Sequence, residues 1–191
     1  TQLGSYGFDL KNIDLAGLIH RILKYTKLER LRVSSLQPQE VTANLLNLWQ
    51  DPRLCPHFHL PLQSGSDDVL RHMRRRYTAR QYADAINRIR EAIPNCSLTT
   101  DVIVGFPGES ARDFENTYKI CKETEFAGLH IFPYSKRPGT SASHFGDYVD
   151  EAIKRQRMQW LLELAKGKEK AFLLSQLGTV RPVLWEHCDS K

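Results

Sequence analysis

Polar and flexible residues follow four short apolar stretches of this sequence, and these residues are the ones best placed to bind a ligand. The apolar stretches predict β-strands, and the helical patterns between them predict a parallel sheet. Because parallel strands end at one edge of a sheet or barrel, we expect the four polar ends to line a common mouth. These ends are residues 34–35, 63–65, 105–109 and 134–135.

Individual residues at the predicted mouth also have structural explanations. Asp101 stands on an otherwise apolar strand, where a carboxylate needs a partner or a function, and this favours ligand binding. Glu109 falls at a helix N-terminus, where the helix dipole favours a carboxylate without any ligand, so both explanations stay open. Ser34 is equally compatible with capping a turn. Gly105 belongs to a loop that lacks the lysine and hydroxyl residue of a phosphate-binding loop.

A dense run of arginines follows the second mouth segment and is interleaved with tyrosines. Arginine beside aromatic side chains is typical of nucleic-acid contact, whereas a solvated surface is the default for a run of charge, and both stay open. The formal net charge of +5 suits a polyanionic partner without requiring one. The basic residues are Arg71, Arg74, Arg75, Arg76 and Arg80, with Tyr77 and Tyr82 close by.

The cysteines and histidines do not form a recognisable metal site, and we predict none. No two cysteines make a Cys-x-x-Cys pair, so we interpret them as buried, reduced thiols. His57 and His59 share one face of a predicted strand, but no third ligand accompanies them, and a core or rim position is favoured. The cysteines are Cys55, Cys96, Cys121 and Cys188.

The order of helical and extended patterns predicts an α/β fold. Hydrophobic periodicity predicts helices at 13–24, 41–49, 67–73, 79–93, 110–123 and 151–176, and strands at 30–35, 57–62, 98–104 and 129–132. Alternating strands and helices call for a parallel sheet, so we predict a partial (β/α) barrel, truncated at its N-terminal side. No apolar run reaches membrane-spanning length and no signal-peptide pattern opens the chain, so we expect a cytoplasmic protein without membrane association.

Five ordered motifs resemble those of the radical S-adenosylmethionine (SAM) methylthiotransferases, and together they cover nearly the whole chain. They lie at residues 3–7, 32–35, 59–77, 100–109 and 132–140. The central motif reads His59-x-Pro61-x-Gln63-Ser64-Gly65-Ser66-Asp67. The resemblance implies a TIM-like partial barrel that binds SAM and a [4Fe–4S] cluster. It also implies insertion of sulfur and then a methyl group at an unactivated C–H bond.

The resemblance also implies roles for individual residues, although the catalytic residue stays unassigned because the cofactors carry the chemistry. The residues implied to contact SAM are Ser34, Gln63, Ser64, Asp101, Gly105, Glu109, Phe132 and Tyr134. The residues implied to contact RNA phosphate or a carboxylate are Arg74, Arg75, Arg76 and Arg137.

Within the family, the segments 74–77 and 129–135 look most like enzymes that modify threonylcarbamoyladenosine of tRNA, next to the anticodon. Other members act on isopentenyl-adenosine of tRNA, or on an aspartate of a ribosomal protein. The ribosomal-protein substrate stays an alternative, as does a basic RNA-binding module without chemistry. The implied partners are tRNA and an electron donor such as flavodoxin.

The main departure from the family is an absence. The Cys-x-x-x-Cys-x-x-Cys motif that holds the family's cluster does not occur in this sequence, so the cluster ligands are expected outside it. The resemblance therefore implies an incomplete radical SAM core at 1–178, followed at 179–191 by the start of a TRAM-like RNA-binding domain. We expect such a fragment to be inactive by itself.

Overall fold

The computed structural model describes residues 3–11 and 13–184 and confirms the α/β class, with a partly formed barrel sheet. The helices are α1 (Leu15–Tyr25), α2 (Ala43–Leu46), α3 (Asp67–His72), α4 (Ala79–Ala92), α5 (Ala111–Glu123) and α6 (Glu151–Ser175). The strands are β1 (His57–His59), β2 (Ser97–Val104) and β3 (Gly128–Pro133). Short 3₁₀ turns occupy Leu3–Ser5, Pro38–Glu40, Asn47–Gln50 and Ser141–His144.

The strands form one parallel sheet in the order β1-β2-β3. His59 of β1 pairs with Thr99 of β2, and Asp101 of β2 pairs with His130 of β3. Helices α3 and α4 connect the first two strands and α5 connects the next two, as crossovers between parallel neighbours require. All three strands therefore end at one edge, which is where the sequence predicted the mouth.

One face of the sheet is covered by helices and forms the hydrophobic core. Along β2, fully buried residues alternate with half-exposed ones, so Leu98, Val102 and Val104 belong to this covered face. Burying one large apolar side chain contributes about 1.5–3 kcal/mol, so this face carries much of the fold's stability. The buried face of α4 consists of residues that the periodicity predicted, Tyr82, Ala85, Ile86 and Ile89.

The opposite face of the sheet stays partly accessible, and we call it the open face. Its residues alternate with those of the core, as the two-residue period of a strand requires. Asp101 on β2 is half-exposed, and His130 and Phe132 on β3 are exposed. The open face consists of His57, His59, Thr99, Asp101, Ile103, His130 and Phe132.

Strand β1 is shorter than the predicted 57–62 because the ladder becomes irregular at Pro61, which has no N–H to donate. The Leu62 N–H instead donates to Thr100 Oγ1 at 2.9 Å. Two buried phenols satisfy the carbonyls of this segment: Tyr77 donates to Pro61 O at 2.9 Å, and Tyr82 donates to Leu60 O at 2.9 Å. The segment resumes contact with β2 at Gln63, which bridges to Val102.

The strand predicted at 30–35 is wrong. This segment runs beside β1 but makes a single β-bridge, between Leu31 and Leu54, and a further hydrogen bond from Leu36 N–H to His59 O at 3.0 Å. The physical reason is the backbone of Ser35, whose φ of 61° is left-handed and interrupts an extended ladder. The segment still brings Arg32 and Ser35 to the open face.

The other element boundaries agree with the sequence within a few residues, and side chains of serine cap two of the helices. Ser66 caps α3, and Ser110 with Asp113 forms a capping box at the start of α5. Residues 180–184 have no regular secondary structure, and 185–191 of the predicted TRAM-like start lie outside the described residues. In the ranges that the structure describes, no helix combines the length and apolarity needed to cross a bilayer.

Candidate functional site

The open face carries a cluster of polar side chains contributed by all three strands. Strand register places His59, Asp101 and His130 side by side across the sheet. His59 Nε2 lies 3.0 Å from Asp101 Oδ1. The rings of His59 and His130 meet edge to face, with their centroids 6.1 Å apart. Sequence analysis singled out Asp101, but it favoured a structural position for His59 and did not consider His130.

His59 has a hydrogen-bond partner at each ring nitrogen. Ser35 Oγ lies 3.2 Å from Nδ1, and Asp101 Oδ1 lies 3.0 Å from Nε2. In the neutral imidazole, Nε2–H donates to the carboxylate while Nδ1 accepts from the Ser35 hydroxyl. This chain fixes the Asp101 carboxylate, whose side chain is still 24% exposed. The carboxylate is thus oriented to accept a hydrogen bond from a ligand hydroxyl or ammonium group.

His57 lies lower on the same face, beside Arg32 and Thr99. The Arg32 Nη2 atom and the Thr99 hydroxyl lie 3.1 Å and 3.2 Å from His57 Nε2. Burial lowers the pKa of His57 to about 4, and the positive charge of Arg32 acts in the same direction. His57 is therefore neutral at physiological pH, and the positive charge at this level of the open face belongs to Arg32.

Gln63 stands where the irregular end of β1 reaches the mouth. Its φ of 64° is left-handed, a conformation that costs a non-glycine residue about 1–2 kcal/mol and that occurs preferentially at functional sites. The backbone is held there by Gln63 N–H to Asp101 O at 2.8 Å and Ile103 N–H to Gln63 O at 2.9 Å. Within the described chain, the side-chain amide has no hydrogen-bond partner. A strained, unpaired amide beside Asp101 fits a ligand-binding role.

An aromatic wall closes the mouth at the end of β3. Phe132 is 51% exposed on the open face. The Tyr134 N–H donates to Val104 O at 2.8 Å, and its hydroxyl donates to Ala142 O at 3.1 Å. The Tyr134 ring meets Phe106 edge to face at 5.3 Å. The structure therefore brings the Gln63, Asp101 and Tyr134 segments together through direct hydrogen bonds to β2.

The loop between β2 and α5 has a different role from the one predicted. Gly105 N–H donates to Glu109 Oε2 at 3.0 Å, and Arg157 Nη1 lies 2.6 Å from the same oxygen. The Glu109 side chain is fully buried, and its Oε1 has no hydrogen-bond partner in the described chain, so its contact with SAM stays a prediction. Burial raises the pKa of Glu109, while the Gly105 N–H and Arg157 oppose the shift. A Cβ on Gly105 would lie 2.8 Å from Lys154, so this glycine permits helix packing.

Two predicted serine contacts also need correction. Ser64 is fully buried, and its hydroxyl lies 3.3 Å from Thr117 Oγ1 of α5, so it joins the loop to a helix instead of facing the mouth. The neighbouring Gly65 donates to the same Thr117 oxygen at 2.8 Å. Ser34 is exposed, but it is Ser35 that reaches His59. Ser34 and Ser35 are adjacent in the sequence, and only the structure shows which of them contacts the open face.

The basic residues lie in two connections that follow strands β1 and β3 along the chain. Arg74 and Arg76 are exposed in the connection after α3, which starts at the mouth end of β1, and Arg137 is exposed in the loop after β3. Arg74 has a left-handed φ of 56° at the C-terminus of α3, where glycine is usual. Arg75 is half-buried, and its Nε has no partner in the described chain. Arg74, Arg76 and Arg137 therefore present positive charge to solvent.

A family model described as the Radical SAM superfamily matches residues 5–121, which is more than half of the chain. The chain belongs to the radical SAM superfamily. The matched range includes the first two strands, Gln63, Asp101 and the loop with Glu109.

Relatives within this superfamily are named tRNA methylthiotransferases. The threonylcarbamoyladenosine tRNA methylthiotransferase MtaB of Bacillus subtilis is 40% identical over 88% of this chain and 38% of its own length. MtaB of Aquifex aeolicus is 43% identical over 93% of this chain and 43% of its own length. The tRNA-2-methylthio-N(6)-dimethylallyladenosine synthase of Dictyoglomus thermophilum is 40% identical over 100% of this chain and 43% of its own length. The chain thus spans about two fifths of these relatives.

Two solved structures share the fold of this chain. Coproporphyrinogen III oxidase (HemN) from Escherichia coli, titled a radical SAM enzyme, superposes with a TM-score of 0.60 at 19% identity, over 73% of this chain and 32% of that one. Elp3 of Methanocaldococcus infernus gives 0.53 at 16% identity, over 72% of this chain and 32% of that one. These likenesses support the partial barrel and its parallel sheet.

The residues present fit SAM but not an iron–sulfur cluster. The unpaired Gln63 amide, the oriented Asp101 carboxylate and the exposed Phe132 ring offer complements to the hydroxyls, ammonium group and adenine of SAM. Cys55, Cys96 and Cys121 are buried free thiols. In the described residues, no group of three or more His, Cys, Asp or Glu side chains could hold a metal ion. The side chains that the structure describes at the mouth are therefore compatible with SAM.

Proposed function

We propose that this chain forms part of a radical SAM tRNA methylthiotransferase that adds a methylthio group at C2 of a hypermodified adenosine next to the anticodon. The observation that carries the proposal is the convergence of Gln63, Asp101 and Tyr134 at one polar mouth. Identity of 40–43% to several tRNA methylthiotransferases supports it. SAM would supply the radical chemistry and the methyl group when bound.

Residues of this chain would bind and orient SAM at the mouth. The Gln63 amide, which has no partner in the described chain, and the Asp101 carboxylate, whose side chain is 24% exposed, would hydrogen-bond its hydroxyl and ammonium groups. Phe132 and Tyr134 would wall the adenine by stacking and exclude water from it. Ser34 would lie at the outer margin of this site, since it is exposed beside the residue that contacts His59.

The RNA substrate would be held by the arginines around the mouth. Arg74, Arg75 and Arg76 approach from the α3 side, and Arg137 approaches from the β3 side. Arginine suits phosphate because its planar fork presents several N–H donors, so binding should weaken as salt rises. An electron donor such as flavodoxin would deliver the electron that SAM cleavage requires.

Threonylcarbamoyladenosine is the favoured nucleoside within this proposal. Its carboxylate would find cationic partners in the arginines of the connections after β1 and β3, whereas a dimethylallyl group would offer them no acceptor. Two relatives named for threonylcarbamoyladenosine, from Bacillus subtilis and Aquifex aeolicus, support the same choice.

Mass spectrometry of tRNA nucleosides tests the proposal. We expect deletion of the complete gene to abolish 2-methylthio-threonylcarbamoyladenosine and leave its unmethylthiolated precursor, and re-expression to restore the modification. Loss of the methylthio group from dimethylallyladenosine instead would correct the nucleoside. Unchanged tRNA, together with absence of SAM cleavage by the anaerobically reconstituted product of the complete gene, would overturn the proposal.

A further inference from the structure

We propose that Arg157 of α6 is a positioning residue that sets the β2–α5 loop of the SAM site through Glu109. This inference rests on the proposed function for its ligand, but its structural part is tested without any ligand. Arg157 follows the mouth residues by more than 20 positions, and its type was not predicted to matter.

The contacts around Glu109 join three elements at one carboxylate. Arg157 Nη1 lies 2.6 Å from Glu109 Oε2 and 3.2 Å from Glu109 O, so one nitrogen of the guanidinium holds both the side chain and the backbone. Gly105 N–H donates to the same Oε2 at 3.0 Å. The turn between β2 and α5 is thereby tied at both ends to a residue on α6.

Both charged groups of this contact are buried. The exposed fraction is 8% for the Arg157 side chain and 0% for that of Glu109. The guanidinium carbon also lies 5.2 Å from the centroid of the Phe114 ring, which holds the cation from the α5 side. A charge in such surroundings requires its partner, so either side chain constrains the position of the other.

The tied loop continues directly into the wall of the mouth. Phe106, the residue after Gly105, is buried and contacts the Tyr134 ring at 5.3 Å. Gly108 N–H donates to Asp147 O at 2.7 Å, in the segment that leads into α6. Displacement of Glu109 would therefore move Phe106 and Tyr134, which face the proposed adenine site.

Hydrogen–deuterium exchange of the protein expressed from the complete gene tests the positioning role without SAM. We expect Arg157→Met to speed exchange of residues 104–110 by about tenfold or more and to leave the α4 amides unchanged. Arg155→Met, which removes an exposed arginine from the same helix, is the matched control and should leave the loop protected. Equal protection of the loop in wild type and Arg157→Met would overturn the inference.

A double variant separates positioning from mere stability. Glu109→Met combined with Arg157→Met removes both buried charges and should recover most of the thermal stability lost in Arg157→Met. The Gly105 N–H would still lack its acceptor, so we expect the KM for SAM to stay about tenfold raised with kcat within about twofold of wild type. If KM recovered together with stability, the pair would be structural only.

The two proposals fail in different ways. If the wild-type protein neither binds nor cleaves SAM, the proposed function falls, while the exchange experiment still decides whether Arg157 sets the loop. Arg157→Lys provides a graded check, because a single ammonium group can contact Oε2 but cannot reproduce the geometry of the guanidinium. We expect intermediate loop exchange for this variant, and exchange as fast as in Arg157→Met would contradict the assigned role of the charge.

Discussion

Three non-glycine residues at or near the mouth have a strained backbone conformation. Gln63, Ser35 and Arg74 all have left-handed φ angles that glycine would adopt without strain. Ser35 uses the conformation to reach His59, whereas the Gln63 amide has no partner in the described chain. Backbone hydrogen bonds to β2 hold Gln63 in this conformation, and its unpaired amide is compatible with a ligand contact.

Asp101 gives the sharpest residue-scale prediction for the nucleotide site. We expect Asp101→Asn to raise the KM for SAM about tenfold, because an amide lacks the charge that orients His59 and accepts from the ligand. The hydrogen bond between His59 and Asp101 is partly exposed, so the free energy of unfolding should change by less than about 1 kcal/mol. Enzyme kinetics and thermal denaturation measure the two effects. Glu123→Gln, a carboxylate-to-amide change on the outer face of α5, is the control, and equal KM values in both variants would contradict the role.

Arg74 separates strain from function in a second prediction. Arg74→Gly should raise the free energy of unfolding by about 1 kcal/mol, because glycine adopts the left-handed C-terminal position of α3 without strain. The same change should weaken tRNA binding and reduce its salt dependence. Arg74→Ala removes the charge and keeps the strain, so it should lose the same affinity without the gain in stability. Denaturant titration and filter binding measure these outcomes, and full tRNA affinity in both variants would remove Arg74 from the RNA surface.

At the scale of elements, the mouth depends on how β1 ends. Pro61 interrupts the ladder, and buried hydroxyl groups replace the missing backbone partners. Tyr77 precedes α4 and Tyr82 lies on it. The rings of both tyrosines are buried in the core, and their hydroxyls donate to the carbonyls of Pro61 and Leu60. Gln63 therefore depends on α4 for its position, although α4 lies on the covered face.

The buried hydroxyl of Tyr77 makes the stability of the fold depend on alkaline pH. Burial raises its pKa from 10.0 to about 12, so the folded state resists ionisation and stability is lost as pH rises from 10 towards 12. This shift corresponds to about 2–3 kcal/mol. Tyr77→Phe should cost about 1 kcal/mol at pH 8, because it leaves the Pro61 carbonyl unpaired, whereas Leu62 O keeps the Ser64 N–H; the substitution should also flatten the alkaline loss of stability. Urea unfolding between about pH 8 and about pH 11 measures the free energy of unfolding and its decrease with rising pH. An unchanged alkaline slope would place the sensitive group elsewhere.

At the scale of the molecule, the two faces of the sheet differ: the covered face forms the hydrophobic core, and the open face carries the polar side chains of the candidate site. One face is packed by helices, and the other presents histidines, a carboxylate and an aromatic ring. The cysteines of the described chain lie in the core or beside it, where burial raises the pKa of Cys96 and raises that of Cys121 to about 12. Protonated, separated thiols are poor cluster ligands, because metals bind the thiolate.

The 191-residue chain by itself therefore gives a whole-molecule prediction. We expect anaerobic reconstitution with iron and sulfide to leave it without stoichiometric iron or iron–sulfur absorption, and without SAM cleavage. Iron analysis and visible absorption spectra measure this, with the protein from the complete gene as the comparison. Stoichiometric cluster binding by the chain alone would show that its own side chains supply ligands.

Much of the architecture was predictable because local rules govern it. The alternation of apolar stretches and amphipathic helices predicted the parallel sheet, and the Ser66 and Ser110 caps predicted where α3 and α5 begin. The extended segment at 30–35 was not predictable as irregular, because the left-handed turn at Ser35 answers to a contact with His59 that lies 24 residues away.

The sequence by itself determined which strand ends carry polar residues, and it determined the absence of a cysteine cluster motif. Only the tertiary structure decided which of those residues face the mouth. Ser64 and Glu109 turned into the protein because α5 and α6 offer Thr117 and Arg157, whereas His59 and His130 joined Asp101 because strand register aligns them. The reason is physical: local pattern fixes the direction in which side chains alternate, but partners distant along the chain fix what each one touches.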